Sequence, residues 1–279
     1  MRVFITGSKG QLGAAFVKHF QTNGWDYAAA DVDTLDISDV NAVMDAVMPY
    51  RPGMIINCAA YNLVDKAEAE PAAAYTVNAE GVRNIAIAAR RLESTFVHFG
   101  TDYVFDGAKK APYTEKDAVN PLNKYGASKL KGEEYALEVP GALVLRLSWV
   151  YGAGHQNFMH KLLGWAKNPG PLRVADDEVS VPTSVGDIVD GTLEALKAGL
   201  FGRWNLTNSG LCSRYDWAKV ALKEFGVDKE IVPAKMADFN LPAPRPGYSA
   251  MSNAALSSEL AITIPHWQES VEKFIRENK

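Results

Sequence analysis

The chain has 279 residues, of which 47% are hydrophobic and 22% are charged, and its formal net charge is -4 at pH 7. This composition predicts a globular protein, either one large domain or a domain with an added lobe, that buries a substantial core. The negative charge gives no general attraction to nucleic acid or to acidic membrane surfaces, and the sequence shows neither a membrane-length apolar run nor a signal peptide.

Strands and helices alternate along the first half of the chain. The predicted strands are, in order, "RVFIT", "DYAAAD", "GMIINCAAY", "TFVHFGTDYVF" and "ALVLRLSWVY". Between them lie segments of helical period, "QLGAAFVKHFQTNG", "DVNAVMDAVMPY", "PAAAYTVNAEGVRNIAIAARRL" and "YGASKLKGEEYAL". Continuous apolar strands separated by helices are typical of a parallel sheet covered on both faces. The sequence therefore predicts an α/β protein with a Rossmann-type, doubly wound parallel sheet.

From about residue 151 the pattern becomes richer in loops, in "AGHQNF", "KNPGPLRVADDEVSVPTS" and "NLPAPRPGYSAMSN". We expect residues 1–150 to form a dinucleotide-binding domain. Residues 151–279 should form a smaller C-terminal substrate-binding lobe, with some segments returning to the first domain. Such a lobe would lie at the carboxyl edge of the sheet, where open α/β sheets bind ligands.

A glycine-rich stretch, "TGSKGQLG", connects the first strand to the first helix and contains Gly7, Gly10 and Gly13. Glycines let the backbone approach a pyrophosphate, and the helix start adds N–H groups and a favourable dipole. The spacing G-x-x-G-x-x-G differs from the usual fingerprint, so a simple tight turn remains an alternative. Asp31, at the end of the second strand, could bind the ribose hydroxyls or be an exposed turn residue. Asp36 could face the adenine or cap the next helix.

A second group of residues carries acid–base chemistry. Tyr125 and Lys129 are four residues apart, so a helix places them on one face, where an ammonium lowers the pKa of a phenol. Thr101, at the end of the preceding strand, could bind a substrate carbonyl or form only a local turn contact. Together these features predict a hydride-transfer site that uses NADH or NADPH. Asp31 would repel a 2′-phosphate, whereas Lys9 could reach one, so the preference stays open.

The two cysteines, Cys58 and Cys212, show neither metal-ligand spacing nor a disulfide framework. We therefore expect a reduced, cytoplasmic protein without a metal site. The sequence leaves assembly as a homodimer open.

The motifs "TGSKGQLG", "TDYVFDG" and "YGASK" resemble the extended short-chain dehydrogenase/reductases. Longer blocks, "NCAAYNLVDKAEAEP", "FGTDYVFDGAKKAPYTEKDAVNPLNKYGASKLKGE", "RLSWVYG", "VPTS" and "RPGYSAMSN", are similar to the dTDP-4-dehydrorhamnose reductase family. The resemblance implies a nucleotide-sugar substrate, whose 4-keto group is reduced to give dTDP-L-rhamnose.

The same resemblance implies roles for individual residues. Tyr125 would donate the proton, Lys129 would bind the nicotinamide ribose and tune the tyrosine, and Thr101 would position the sugar. The implied contacts are Gly10, Gln11 and Leu12 with the pyrophosphate, Asp31, Asp36 and Ile37 with the adenosine, Ala60, Tyr61 and Asn62 with the nicotinamide half, and Asp102 and Trp149 with the sugar nucleotide. Trp149 could instead be a core aromatic residue. Arg245 could pair bidentately with a diphosphate or be a surface arginine.

Three positions depart from the family pattern. Gly100 replaces a common serine, which we expect to alter the oxyanion side of the site, and Glu178 and Ser180 replace a glutamine and a glycine. Three other interpretations stay open at this point. The first is a sugar-nucleotide epimerase or a reductase of another ketosugar. The second is a cofactor-binding regulatory subunit like the β subunit of methionine adenosyltransferase. The third is a purely structural Rossmann domain, against which the assembled site argues.

Overall fold

The computed structural model describes residues 1–154 and 157–278. His155 and Gln156, in the loop expected after residue 151, lie outside the described residues, as does Lys279. The strands are β1 (Val3–Thr6), β2 (Tyr27–Ala30), β3 (Met54–Asn57), β4 (Thr95–Thr101), β5 (Leu143–Leu147), β6 (Val150–Tyr151), β7 (Leu172–Ala175), β8 (Val179–Ser180), β9 (Thr183–Ser184), β10 (Gly202–Asn205), β11 (Cys212–Ser213) and β12 (Ile231–Ala234).

Helices connect these strands. The α-helices are α1 (Gln11–Thr22), α2 (Val40–Tyr50), α3 (Val64–Ala69), α4 (Pro71–Tyr75), α5 (Val82–Leu92), α6 (Lys124–Leu137), α7 (Phe158–Ala166), α8 (Val185–Lys197), α9 (Arg214–Phe225), α10 (Ala254–Leu260) and α11 (Trp267–Glu277). A π-helical turn, Thr76–Gly81, joins α4 to α5, and 3₁₀ turns occupy Asp102–Val104 and Met236–Phe239.

Six strands form one parallel sheet in the order β2-β1-β3-β4-β5-β10. The predicted α/β fold with a doubly wound parallel sheet is confirmed. The strand order reverses at β1, which pairs with β2 on one side and with β3 on the other. In open α/β sheets, such a reversal opens a crevice at the carboxyl ends of the strands.

The strands are mostly apolar because both faces of the sheet are covered, with a few buried polar exceptions such as His98 of β4 and Arg146 of β5. Val3 and Ile5 of β1 belong to a core cluster with residues of α1, α8 and α10. Phe4, between them, points to the opposite face and joins a second cluster with residues of α2, α5 and α6. Alternate side chains of one strand thus fill two cores, which requires an unbroken hydrophobic run.

A third core cluster centres on Trp217 and includes residues of α7, α9 and α11. It lies in the second half of the chain, together with the short pairs β7–β12, β8–β11 and β6–β9. From the same half, α8 packs on α1 and β10 pairs with β5 in the large sheet. The division of the chain at residue 150 stays a prediction.

Within residues 1–154 and 157–278, no helix combines the length and apolar character needed to cross a membrane. The same residues contain no group of three or more His, Cys, Asp or Glu side chains that could hold a metal ion. Both cysteines are free thiols.

Candidate active site

A cleft of about 340 Å³ opens at the carboxyl ends of β1, β3, β4 and β5. Its walls come from the glycine-rich turn, the segment after β3, the end of β4, α6 and the segment after β5. The predicted site residues that line it are Gly10, Gln11, Leu12, Ala60, Asn62, Thr101, Asp102, Tyr125, Lys129 and Trp149. The fold therefore brings residues from five separate segments into one cavity.

The glycine-rich turn is shaped by close backbone contacts. Gly7 has a φ of +66°, and a Cβ there would lie 2.5 Å from the backbone nitrogen of Ala59. A Cβ on Gly13 would lie 2.1 Å from the carbonyl oxygen of Gly7. Helix α1 then begins at Gln11, and its N-cap residue, Gly10, has no side chain to satisfy the first-turn N–H groups. This uncapped helix start at the cleft fits a dinucleotide pyrophosphate.

Asp31 follows β2 directly and touches the turn. Its carboxylate accepts the backbone N–H of Lys9 at 2.7 Å and that of Val32 at 2.8 Å. The Lys9 ammonium pairs with the neighbouring Asp33. The acidic group expected at the ribose therefore stands beside the turn, and the lysine that could reach a 2′-phosphate already has an anionic partner.

Asp36 and Ile37 have different environments. Asp36 is exposed and accepts the amide and hydroxyl of Ser38 at 2.9 and 2.7 Å, and these bonds lower its pKa. The cap of α2 is instead Asp39, which accepts the N–H groups of the first turn. Ile37 is buried in the core beneath α5, so packing accounts for its side chain.

Helix α6 places Tyr125 and Lys129 one turn apart at the cleft. Asn123 caps the helix by accepting the N–H of Gly126 at 2.7 Å. The Lys129 ammonium donates to the carbonyl oxygen of Phe99 at 2.6 Å, and the Tyr125 hydroxyl donates to Oδ1 of Asn62 at 3.3 Å. The predicted pair is thus held against the end of β4 on one side and the segment after β3 on the other.

The protonation of this pair differs from the sequence-based expectation. Burial raises the pKa of Tyr125 to about 12, and the hydrogen bond with Thr101 only partly opposes that rise. Burial also lowers the pKa of Lys129 to about 8, against the attraction of Glu133. Desolvation therefore outweighs the expected effect of the ammonium on the phenol. Tyr125 is protonated at neutral pH and can act as a proton donor.

Thr101 and Asp102 end β4 inside the cleft. Oδ1 of Asp102 accepts the Thr101 hydroxyl at 3.3 Å, and Oδ2 accepts the hydroxyls of Ser180 at 2.9 Å and Ser249 at 2.5 Å. Burial raises the pKa of Asp102 to about 6, although the two serine hydrogen bonds oppose the rise. Ser180, one of the departures from the family pattern, thus serves to hold a carboxyl group of the cleft.

The segment expected at the nicotinamide half is anchored by Asn78 of the π-helical turn. Its amide exchanges hydrogen bonds with the backbone N–H and C=O of Tyr61, at 2.8 and 3.0 Å, and reaches Ser128 of α6 at 3.0 Å. Ala60 and Asn62, on either side, line the cleft, whereas Tyr61 is not among the lining residues.

Trp149 lines the cleft with a φ of +40°, a left-handed conformation that is costly for a bulky residue. Its side chain is buried, and its ring stacks on the nearly parallel ring of Trp217, with the two centroids 5.7 Å apart. The Arg214 guanidinium lies 3.6 Å from the centroid of the Trp149 ring. The same guanidinium donates to Glu178 at 3.2 Å, so the glutamate that departs from the family pattern pairs with a cation behind the cleft wall.

Arg245 is part of a bidentate ion pair. Its two terminal nitrogens donate to the two carboxylate oxygens of Asp65 at 2.9 and 2.8 Å. Burial raises the pKa of Tyr103, a residue that lines the cleft, and the positive charge of Arg245 is one of the effects that oppose this rise. Arg245 lies near the cleft but does not line it. Its guanidinium makes with Asp65 the bidentate contact that was expected with a diphosphate.

Gly100 lines the cleft through its backbone. A Cβ at this position would point to the far side of β4 and lie 3.1 Å from both Arg146 and Glu133. Its small size therefore accommodates a buried ion pair beneath the strand, and a serine hydroxyl here would point away from the expected oxyanion side.

Sequence reasoning missed a buried polar group at the floor of the cleft. Asn57 accepts the hydroxyl of Thr6 at 2.7 Å, and its Nδ2 lies 3.1 Å from Nδ1 of His98. Burial lowers the pKa of His98 well below its usual value, so its ring is neutral. The signal for this group was present, because each of the three residues is a polar side chain in or at the end of an apolar strand.

The parallel sheet, the uncapped helix start beside Asp31 and the Tyr125–Lys129 pair with Thr101 together define a Rossmann-fold oxidoreductase. Comparison with known proteins specifies the class. The family model described as "RmlD substrate binding domain" matches residues 1–279, and the chain belongs to this family.

Individual relatives agree with this assignment. The chain is 34% identical over 295 residues to dTDP-4-dehydrorhamnose reductase of Burkholderia thailandensis, covering 99% of each chain. It is 37% identical over 257 residues to the probable dTDP-4,6-dihydroxy-2-methyloxan-3-one 4-ketoreductase of Streptomyces antibioticus, covering 91% of this chain and 87% of that one. Among solved structures, dTDP-4-dehydrorhamnose reductase of Bacillus anthracis in complex with NADP matches with a TM-score of 0.95 at 34% identity, covering 99% of each chain.

Proposed function

We propose that this protein catalyses the NAD(P)H-dependent reduction of the 4-keto group of dTDP-4-dehydrorhamnose, which gives dTDP-L-rhamnose. The observation that carries the proposal is one cleft in which Thr101, Tyr125 and Lys129 meet beside an uncapped helix start. Family membership and the names of the relatives support the substrate class. When bound at the glycine-rich turn, the dinucleotide supplies the hydride.

The protein side chains manage the proton and the position of the sugar. Tyr125, protonated at neutral pH because burial holds its pKa at about 12, gives its proton to the oxygen of the reduced carbonyl. The Thr101 hydroxyl can donate to the same oxygen when it leaves Asp102, and donors placed there stabilise developing negative charge. Lys129, as an ammonium, favours the phenolate that Tyr125 becomes after donation.

The remaining assignments concern the substrate and the cellular setting. Trp149 and Asp102 would line the sugar-nucleotide site, and Arg245 would bind the diphosphate by exchanging its bidentate contact with Asp65 for the ligand. We further propose a cytoplasmic enzyme, because both cysteines are free thiols, as is usual in a reducing compartment, with assembly as a homodimer to be tested by light scattering. The division into a dinucleotide domain, 1–150, and a substrate lobe, 151–279, belongs to the same proposal.

A second candidate is the 4-ketoreduction of another dTDP-linked deoxysugar. The Streptomyces antibioticus relative supports it, as does the position of Glu178 and Ser180. Ser180 holds the cleft residue Asp102, and Glu178 holds the Arg214 side chain that covers Trp149. Both departures therefore lie directly behind the wall that would contact the sugar.

The deciding experiment follows nicotinamide absorbance with a panel of nucleotide-linked 4-ketosugars, each tested with NADH and with NADPH. The proposal expects oxidation of the cofactor with dTDP-4-dehydrorhamnose and identification of dTDP-L-rhamnose by mass spectrometry. Faster turnover of another dTDP-ketosugar would favour the second candidate. Absence of turnover with every ketosugar, combined with co-purification with a methionine adenosyltransferase, would favour a regulatory subunit.

A further inference from the structure

Three charged side chains form a cluster beneath β4, outside the cleft itself. Glu133 of α6 accepts Nε and Nη2 of Arg146 of β5 at 2.9 and 2.8 Å, and neither side chain is exposed to solvent. A second cation, Arg203 of β10, places its Nε 2.5 Å from Oε1 of Glu133, and its side chain is 32% exposed. One buried carboxylate is thus paired with two guanidinium groups: Arg146 donates two hydrogen bonds to it, whereas Arg203 forms an ion pair in which its Nε makes no hydrogen bond.

The cluster lies next to the acid–base pair. Glu133 follows Lys129 by four residues, as Lys129 follows Tyr125, so all three side chains lie on one stripe of α6. Oε2 of Glu133 lies 3.1 Å from where a Cβ of Gly100 would be, directly before Thr101 in β4. The carboxylate therefore lies beneath the backbone of β4, at the point where Gly100 and Thr101 line the cleft.

Lys129 depends on this carboxylate for its charge. Burial disfavours its ammonium, and Glu133 is the first of the groups that oppose this effect, followed by Cys58. The Cys58 thiol has its own pKa raised by burial and stays protonated at neutral pH. His98, which also senses Lys129, is neutral. Of the groups that face Lys129 from α6, β4 and the end of β3, Glu133 therefore provides the compensating negative charge.

The two arginines determine the kind of interaction between Glu133 and Lys129. Both arginines pair with the Glu133 carboxylate, and the Lys129 ammonium donates its hydrogen bond to the Phe99 carbonyl at 2.6 Å. Glu133 therefore attracts Lys129 through its charge and not through a hydrogen bond. This arrangement keeps Lys129 at the cleft. The arginines also offset part of the negative charge, so each arginine should weaken the attraction that Lys129 feels.

We propose that Glu133, balanced by Arg146 and Arg203, is a positioning residue that acts through Lys129 and sets the pH range in which Lys129 carries its charge. The inference rests on the proposed function only in assigning Lys129 to catalysis. It makes a signed prediction, because removing the anion and removing one cation must move the titration of Lys129 in opposite directions.

The test uses two variants of the full-length protein. Glu133→Gln should lower the pKa of Lys129 by about one pH unit, and Arg203→Gln should raise it by about half a unit. Glu134→Gln is the matched control, because Glu134 is the exposed neighbour that pairs with Lys131. Lysine labelled with ¹³C at Cε reports each titration by NMR, and Lys129→Met assigns the signal. Ketosugar turnover should show alkaline limbs displaced in the same two directions.

The outcomes separate the possibilities. If the pKa of Lys129 is unchanged in Arg203→Gln, the inference is overturned. It is also overturned if the pKa changes in the same direction in both variants. If Glu133→Gln fails to fold because Arg146 is left buried without its anion, the surface-reaching Arg203→Gln alone decides the outcome. If the pKa of Lys129 changes in opposite directions in the two variants but the protein reduces no ketosugar, the inference is supported and the proposed function is refuted.

Discussion

Replacing Tyr125 by phenylalanine tests the acid–base assignment with the smallest change. The substitution removes the hydroxyl that donates to Asn62 over 3.3 Å and leaves the ring. That ring packs edge-on against Tyr103, with centroids 5.8 Å apart and an interplanar angle of 81°. Since the ring packing is kept and only the hydrogen bonds of the hydroxyl to Asn62 and Thr101 are lost, we expect the free energy of unfolding to change by about 1 kcal/mol or less.

The chemical step should respond much more strongly. Burial holds the pKa of Tyr125 at about 12, so the wild-type hydroxyl is protonated at neutral pH and available as the acid. Without it, the reduced carbonyl oxygen would have to form as an unprotonated alkoxide. General acid catalysis contributes ~10²–10⁴-fold, or about 3–5 kcal/mol of barrier. We therefore expect turnover to fall by at least ~100-fold, with the affinity for the dinucleotide nearly unchanged.

Single-turnover reduction followed by nicotinamide absorbance measures the step directly. Tyr135→Phe, which removes a hydroxyl from the same helix outside the cleft, is the matched control and should keep the wild-type rate. Urea unfolding of both variants checks that the fold is intact. A Tyr125→Phe enzyme that reduces its ketosugar at nearly the wild-type rate would show that another group supplies the proton.

Further predictions concern the cofactor, the turn and the pH dependence of stability. Asp31→Ala should weaken binding of NADH more than of NADPH in calorimetry, and the reverse ranking would contradict the ribose assignment. Gly7→Ala should cost more than ~2 kcal/mol in urea unfolding, because its Cβ would meet the backbone of Ala59 at a positive φ. The folded-state pKa of His98 lies well below its ordinary 6.5, so protonation favours the unfolded chain. The stability of wild type relative to His98→Gln should then fall by up to ~1.4 kcal/mol per pH unit as the pH drops below 6.5; parallel curves for the two proteins would refute this.

The local features of the molecule could be predicted from the sequence. The five strands expected in the first half of the chain correspond to β1 through β5, because strands buried on both faces form nearly continuous apolar runs. Tyr125 and Lys129 share a helix face for a reason that is also local. Residues four apart in a helix lie about one turn apart on the same side. The glycine-rich turn belongs to this group as well.

Features that depend on distant pairing were not evident. Strand β10 completes the large sheet, yet "GRWN" has no pattern of its own and becomes a strand because β5 offers an open edge. The predicted helix at 71–92 is interrupted by the π-helical turn that contains Asn78. A π-helical turn adds one residue to a turn of helix. This addition alters the spacing of the apolar residues too little to be recognised in a single sequence.

The sequence by itself determined the local spacing of the proposed site residues, and the tertiary structure decided their charge states and partners. Asp102 meets Ser180 and Ser249, and Arg245 meets Asp65, across separations that no local pattern encodes. The pKa of Tyr125 moves upward, opposite to the expectation from its neighbour Lys129. The physical reason is that a side chain's spacing along a helix is local, whereas its desolvation is set by every segment that packs around it.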